Sequence, residues 1–357
     1  MKSCKICLLP EKVPEANIDS TGICSFCRGD KKSDYAVNEQ LRQEWKKDLE
    51  KALSECKGKG EYDCLVPISG GKDSLYLAYK LKYEYGLKVL GYTTNISIPD
   101  IAQENIKRCL SKIDIRHYSD SPPESFYRKI FSYLLKNQEE RGAVYTISYV
   151  YAPLFEGDAI KLAIEKNIPL ILAGYSPGQP EPERMTYEFS RKLICETDWT
   201  PPGLIKDNVI TDEEIELFYN PHKYPKGTNF PRYLAPFHAW DYNQDEVMKF
   251  VVEKGLVQSK KHANPIYSNY PINWLLMYSD LKFFGYNPYH PEFSQLIRDG
   301  KASRVYWKIM TPIVNFMIKN MVFLGKDAKK SMDWLGINEK DLKITKPRGY
   351  YDPELPS

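Results

Sequence analysis

The hexapeptide SGGKDS, residues 69–74, follows a mostly apolar run and precedes an amphipathic stretch. Two consecutive glycines between a strand and a helix let the backbone turn sharply, so that several N–H groups face one point. The start of the helix adds the positive end of its dipole, and such a point attracts an anion. A Walker A motif would need glycine where the sequence has Val66. The residues therefore predict a phosphate-binding turn of a different kind.

Four of the eight cysteines form two Cys-x2-Cys pairs that are separated by sixteen residues. They are Cys4, Cys7, Cys24 and Cys27. Each pair presents two thiolates at a spacing suited to one metal ion, and two pairs complete a tetrahedral site without an open coordination position. The pattern predicts a zinc ribbon with a structural Zn²⁺. An iron–sulfur cluster, which also takes four cysteines, is the alternative.

From residue 62 onward, short apolar runs alternate with amphipathic stretches. We expect strands within residues 63–68, 88–93, 113–119, 168–174 and 232–240. Helices are expected near residues 74–86, 100–112, 124–138 and 243–255. A repeated order of strand and helix predicts an α/β fold, with a parallel sheet that carries helices on both faces. In such sheets ligands bind beyond the carboxyl ends of the strands.

Composition limits the class of protein. The 50 Lys and Arg residues against 47 Asp and Glu leave a net charge of +3, and only 12 of the 50 are Arg, which disfavours a dedicated nucleic-acid reader. The apolar stretch 305–324 is interrupted by Lys308 and Lys319, so membrane insertion is not expected. The first residues, MKSCKIC, do not resemble a secretory signal. We therefore expect a cytoplasmic protein, and leave open a homo-oligomer formed through the aromatic C-terminal helices.

The SGGKDS loop, between a strand and a helix, resembles the pyrophosphatase loop of the PP-loop (N-type) ATP pyrophosphatases. This superfamily has a Rossmann-like, adenine nucleotide alpha hydrolase-like fold, and its members bind ATP, transfer AMP to a substrate oxygen and release pyrophosphate. The resemblance implies that the loop's serines and glycines hold the phosphates: Ser69, Gly70, Gly71 and Ser74. It also implies that Lys72 and Asp73 are catalytic. Lys72 would face the developing negative charge, and Asp73 would cap the helix or hold Mg²⁺.

Two later strand ends match the layout of the same superfamily. Thr94 follows the second apolar run, where these enzymes usually hold adenine. Gly174 and Ser176 follow the fourth, where many carry a second loop near the α-phosphate. The resemblance therefore adds Thr94, Gly174 and Ser176 to the expected nucleotide site.

A four-cysteine ribbon before such a loop is more specific. Together with GICSFC, AIEKNIPLILAGYSPGQ, NWLLMYSDLKFFGYN and FSQLIRDGKASR, it resembles the N-acetyl sugar amidotransferases of lipopolysaccharide and nonulosonic acid biosynthesis. The resemblance implies that the enzyme adenylates the acetamido oxygen of a sugar, with or without a linked nucleotide. Ammonia from a partner glutaminase would then displace AMP and leave an acetamidino sugar. ATP, Mg²⁺ and Zn²⁺ are the implied cofactors.

Two other functions remain open. A ribbon of this kind also precedes the loop in enzymes that thiolate tRNA, so a tRNA or small-molecule thiolation enzyme is the first alternative. It would need a reactive cysteine beyond the loop, for which Cys109 and Cys195 are the candidates. The second alternative is a nucleotide-binding module without catalysis.

The motifs and composition divide the chain into five segments. These are a zinc ribbon (1–30), a helical linker (31–60), a PP-loop ATP pyrophosphatase domain (61–261), a helical C-terminal region (262–340) and a loose tail (341–357).

Overall fold

A computed structural model describes residues 2–31, 38–96, 98–177 and 185–353. The strands are β1 (Cys64–Pro67), β2 (Val89–Thr94), β3 (Arg116–Asp120), β4 (Gln138–Glu139), β5 (Leu170–Leu172), β6 (Arg232–Leu234) and β7 (Ile344–Lys346). Within the described residues, five of them form one sheet in the order β3-β2-β1-β5-β6, and every neighbouring pair is parallel. The predicted parallel α/β sheet is thereby confirmed.

The helices surround this sheet and form most of the C-terminal part of the chain. They are α1 (Ser25–Arg28), α2 (Glu39–Cys56), α3 (Lys72–Tyr83), α4 (Asp100–Ile113), α5 (Glu124–Lys136), α6 (Ala143–Glu165), α7 (Arg191–Cys195), α8 (Pro202–Lys206), α9 (Asp212–Ile215), α10 (Gln244–Glu253), α11 (Lys260–Ala263), α12 (Pro265–Ser268), α13 (Ile272–Phe284), α14 (His290–Arg298), α15 (Arg304–Asn320) and α16 (Lys326–Leu335). Short 3₁₀ helices lie at Pro221–Lys223, Pro236–His238 and Phe323–Gly325.

Side chains of β1 alternate between the two faces of the sheet. Val66 packs with α3, α4 and α10, whereas Leu65 packs with α6 on the other face. Pro67 ends the strand, where its missing N–H removes no hydrogen bond from the middle of the ladder. Because β1 has β2 on one side and β5 on the other, the strand order reverses beside β1, and a crevice opens there at the carboxyl ends.

Helix α2 lies within the segment predicted as a helical linker. Its residues Leu49 and Leu53 are buried in the same core as α3, and Trp45 stacks on Tyr187 at 5.4 Å between ring centroids. The helix is therefore part of the packing of the α/β domain. Residues 32–37, which precede it, lie outside the described residues.

The helical C-terminal region is built on α6 and α13. Asp280 of α13 is 1% exposed, and its carboxylate accepts hydrogen bonds from the N–H groups of Ala143 at 2.5 Å and Val144 at 3.1 Å. These N–H groups begin α6 and have no acceptor within the helix itself. A side chain from α13 thus caps the helix that covers one face of the sheet.

The prediction of a loose tail is wrong for residues 341–353. Strand β7 pairs in parallel with β4, and Tyr351 is 1% exposed, with its hydroxyl donating to the carbonyl of Asn137 at 2.7 Å. Asp352 accepts from Arg141 at 2.9 Å. The burial of Tyr351 and the pairing with β4 hold this segment in place. Residues 354–357 lie outside the described part of the chain.

Among the described helices, none combines the length and the apolar character that crossing a bilayer requires.

Candidate active site and metal centre

The SGGKDS loop connects the end of β1 to the start of α3. Gly70 has a φ of +80°, and a Cβ atom at this position would lie 2.4 Å from the carbonyl oxygen of Ala102. Asn105 of the neighbouring helix α4 donates from Nδ2 to the carbonyl of Gly70 at 3.0 Å. The loop is therefore pressed against α4 at a point where only glycine fits.

The serines of the loop are bonded to the loop itself. Ser74 Oγ donates to the carbonyl of Gly71 at 3.1 Å and accepts from the N–H of Ser69 at 3.3 Å. The first backbone hydrogen bond of α3 runs from the N–H of Leu75 to Gly71 at 3.3 Å. The N–H groups of residues 72–74 precede that bond, so they have no acceptor within α3 and can bind an anion at the helix start.

Lys72 and Asp73 form an ion pair at the start of α3. Lys72 Nζ lies 2.6 Å from Asp73 Oδ2, although Lys72 is only 5% exposed. The hydroxyl of Tyr242 donates to Asp73 Oδ1 at 2.8 Å. Burial and the neighbouring Asp73 carboxylate raise the pKa of Tyr242, so the phenol keeps the proton that it donates. The two partners fix the orientation of the Asp73 carboxylate beside the loop.

The second predicted loop meets the first at Gly174. A Cβ atom at Gly174 would lie 2.8 Å from the backbone nitrogen of Ser74, so the two loops touch backbone to backbone. Ser176 is 7% exposed and lines the same cavity as Lys72 and Asp73. The structure thus brings together the ends of β1 and β5, and of the predicted site residues Lys72, Asp73 and Ser176 line the cavity.

Thr94 lies apart from that cavity. It is buried at the end of β2, and its hydroxyl donates to the phenol oxygen of Tyr92 at 3.2 Å. It does not belong to the described residues that line the cavity. A contact between Thr94 and adenine stays a prediction, as do the ligand contacts of the other predicted site residues.

A cavity of about 1450 Å³ opens in front of the two loops. Lys72, Asp73 and Ser176 lie on one wall, and helices α6, α13, α14 and α15 supply much of the remainder. Typical small-molecule sites have volumes of roughly 300–1,000 Å³. The cavity therefore has room for a nucleotide and a second ligand.

Glu292 of α14 also lines the cavity and was not predicted as a site residue. Burial raises the pKa of its carboxyl to about 8, while the positive charge of Lys72 acts in the opposite direction. A carboxyl whose pKa is raised in this way holds its proton more readily and can then donate a hydrogen bond to a ligand. Nothing in the local sequence indicates this position, because Glu292 is far from the loop in the chain and belongs to an ordinary amphipathic helix.

The four N-terminal cysteines form one compact cluster. All four sulfur atoms lie within 4.8 Å of one another, with Cys4 and Cys27 at 3.8 Å and Cys7 and Cys24 at 3.6 Å. A tetrahedral ion with metal–sulfur bonds of about 2.3 Å has sulfur–sulfur edges of about 3.8 Å. The cluster therefore forms a metal-binding group whose size fits a single ion. The four thiolates of a cubane cluster bind four different irons and stand farther apart.

Two arginines attach the first cysteine pair to the C-terminal helices. Arg298 of α14 donates to Cys7 Sγ at 3.2 Å. Arg304 of α15 donates to the carbonyls of Ile6 at 3.0 Å and Lys5 at 2.6 Å. Since α14 also carries Glu292, one helix contacts both the metal-binding group and the cavity.

No family model matches the sequence, and no curated protein matches it. Among solved structures, the chain is similar to the U34-tRNA thiolase NcsA from Methanococcus maripaludis with its [4Fe-4S] cluster, at 13% identity over 95% of this chain and 90% of that one, with a TM-score of 0.35. It is also similar to the NMN synthetase from Francisella tularensis, at 10% identity over 85% of this chain and 96% of that one, with a TM-score of 0.35. The NH3-dependent NAD synthetase from Campylobacter jejuni in complex with the nitrate ion matches at 16% identity over 40% of this chain and 59% of that one, with a TM-score of 0.29.

The Gly70→Ala variant should lower the free energy of unfolding by about 2 kcal/mol or more, because alanine is strained at positive φ and its methyl group would collide with Ala102. Gly71→Ala is the matched control. Gly71 has a φ of −77°, and the nearest atom to its Cβ would be Ser69 Oγ at 3.5 Å, so its stability should stay close to that of the wild type. Urea unfolding of both variants measures the difference, and an equal loss in both would contradict the close packing of Gly70.

Proposed function

We propose that the protein is an ATP-dependent amidotransferase that adenylates an acetamido sugar and replaces AMP by ammonia. The observation that carries the proposal is the joining of an anion-binding loop, with its Lys72–Asp73 pair, to a cavity large enough for two ligands. An enzyme that transfers AMP to an acceptor must hold ATP and the acceptor side by side, with the phosphate groups of ATP next to the acceptor. The cavity meets that requirement.

In the first step, the acetamido oxygen would attack the α-phosphorus of ATP, and the bond to pyrophosphate would break. The backbone N–H groups of residues 72–74 and the ammonium of Lys72 are placed to stabilise the charge that develops on the phosphate oxygens. Mg²⁺ commonly binds through one or two carboxylates together with substrate phosphates, and Asp73 is the carboxylate beside the loop that fits this role. The ion would supply further neutralisation of phosphate charge.

In the second step, ammonia would attack the activated imidate carbon, the bond to AMP would break, and one proton would be released as the acetamidino group forms. We propose that a partner glutaminase supplies the ammonia and that the acceptor is an N-acetyl sugar, free or nucleotide-linked. Cytoplasmic location and the lipopolysaccharide or nonulosonic acid setting belong to the same proposal. Zn²⁺ is the ion that we propose for the four-cysteine group, because the sulfur spacing fits its tetrahedral bond lengths.

The positions of the remaining candidate cysteines favour nitrogen transfer over thiolation. Cys109 lies inside α4 with 0% exposure, and burial raises the pKa of its thiol to about 12. Cys195 ends α7 and packs beside the core that contains Phe189 and Trp199, where burial also raises its pKa. A thiol that carries sulfur needs to be accessible and readily ionised: Cys109 meets neither condition, and the raised pKa of the half-buried Cys195 opposes the second.

The test supplies ATP, Mg²⁺ and a panel of acceptors, including N-acetylglucosamine and UDP-N-acetylglucosamine, with ammonium chloride. We expect AMP and pyrophosphate to appear in equal amounts only when acceptor and ammonium are both present. The Cys109→Ser and Cys195→Ser variants should keep this activity. Loss of activity in either variant, or a requirement for sulfide in place of ammonium, would favour thiolation. Tight ATP binding without turnover of any acceptor would favour a non-catalytic nucleotide-binding module.

A further inference from the structure

Three buried polar atoms on the cavity wall have no hydrogen-bond partner among the described residues. They are Nδ1 of His238, Nδ1 of His290 and Oδ1 of Asn315, and all three residues line the cavity. His238 and His290 are 9% and 7% exposed. A buried polar atom without a partner is costly, so side chains of this kind usually have a ligand or an ordered water as their partner. All three line one cavity, and this points to a ligand there.

The two imidazoles are suited to an uncharged ligand group. Burial lowers the pKa of His290 to about 4, and burial together with the charge of Lys301 lowers the pKa of His238 to about 4. Each ring is therefore neutral at pH 7, with one N–H donor and one lone pair. Such a pair matches hydroxyl and amide groups, which both donate and accept. A phosphate binds more favourably to cations or to free N–H groups, which the loop at residues 69–74 provides.

Helices α14 and α15, which carry His290 and Asn315, also present flat apolar surfaces to the cavity. Trp307 of α15 stacks on Phe293 of α14 with ring centroids 3.7 Å apart and an interplanar angle of 21°, and both rings line the cavity. Trp274 of α13 lines it as well. A pyranose ring presents C–H groups on its faces and hydroxyl groups around its rim, so it can contact aromatic faces and edge-on polar atoms together.

His238 connects this region with the phosphate end. Its side chain interacts with the backbone of Ser176, the residue that shares the cavity wall with Lys72 and Asp73. A ligand held by His238 and His290 would therefore extend from the C-terminal helices toward the two loops. That direction brings an acceptor group to the place where the α-phosphate is expected.

We infer that His238, His290 and Asn315 form the acceptor subsite, and that they recognise the hydroxyl and amide groups of a sugar packed against Trp307 and Trp274. The inference deepens the proposed function and rests on it for the identity of the reaction. Recognition of the sugar itself rests on the unpartnered atoms and the aromatic surfaces.

Binding of UDP-N-acetylglucosamine and of N-acetylglucosamine, measured by calorimetry, tests the subsite. The His290→Leu and His238→Leu variants should bind both probes about ten-fold more weakly, because an apolar side chain leaves a ligand hydroxyl unpaired. ATP affinity should be unchanged in His290→Leu, whose side chain belongs to α14 and not to the two loops. His290→Gln should restore part of the affinity, since its amide again donates and accepts, whereas a purely structural defect would not respond to that change. His222→Leu, at an exposed histidine outside the cavity lining, is the matched control.

Each alternative result overturns the subsite. The subsite would be ruled out if neither probe bound to the wild type, or if the wild type and both leucine variants bound the probes equally well. A loss of ATP affinity in His290→Leu that equals the loss of sugar affinity would also rule it out, because the histidine would then belong to the nucleotide site. A failure of the proposed function is distinguishable: sugar binding would still depend on His290, but no acceptor would yield AMP.

Discussion

Replacement of Lys72 by alanine is expected to reduce AMP and pyrophosphate formation by about 100- to 1,000-fold, the effect of removing one preorganised charge from a developing phosphate anion. The ammonium group is almost fully buried at the start of α3, where it forms an ion pair with Asp73. A lysine placed in this way is already desolvated and oriented before the substrate arrives. Chromatographic measurement of AMP, with pyrophosphate measured in parallel, gives the rate.

The Asp73→Ala variant should cause a loss of the same order, because the neighbouring carboxylate orients Lys72 and is the proposed ligand of Mg²⁺. Lys82→Ala is the matched control, since Lys82 belongs to the last turn of the same helix and should leave the rate unchanged. ATP binding, measured separately, distinguishes a catalytic loss from an empty site. Retained AMP formation in both Lys72→Ala and Asp73→Ala would place the reaction elsewhere in the molecule.

The features that the sequence could predict are those encoded by neighbouring residues. The glycines at 70 and 71, between an apolar run and an amphipathic run, are enough to indicate a turn that joins β1 to α3. The cysteine spacing likewise predicts the four-cysteine cluster, because each pair needs only one tight turn. Strands β1, β2, β5 and β6 were recognisable because they are mostly buried and are followed by a helical pattern, whereas β3 is mostly exposed.

The features that the sequence could not predict depend on contacts between distant segments. Glu292, His238 and His290 line one cavity although they belong to different elements or lie far from the loop in the chain. Five scattered histidines without a metal-ligand spacing gave no sign of this. The prediction of a loose tail over 341–357 fails at Tyr351 for the same reason, because the partner strand, β4, lies about 200 residues earlier in the chain. Local composition does not predict contacts between such distant segments.

The Cys24→Ser variant is expected to lose a bound Zn²⁺ that the wild type retains after purification without oxygen. Cys24 is 0% exposed, and its sulfur lies 3.6 Å from that of Cys7, so a hydroxyl at this position removes one of four ligands from a closed site. Zinc binding contributes about 10–16 kcal/mol to the folding of small zinc domains, and a ribbon of this size has little other core to replace it. Elemental analysis of metal per chain and limited proteolysis of the N-terminal segment measure the two losses.

Loss of the metal should also affect the cavity, because the ribbon is bonded to the helices that line it. Arg298 donates to Cys7 Sγ, and the same helix α14 carries Glu292 and His290. We therefore expect Cys24→Ser to weaken binding of the acceptor more than binding of ATP, whose loop lies between β1 and α3. Cys195→Ser, at a half-buried cysteine outside the cluster, controls for the loss of a thiol and should keep its metal. Iron and sulfide in place of zinc, with an absorption band that Cys24→Ser abolishes, would replace the single ion by a cluster and require the four sulfurs to move apart.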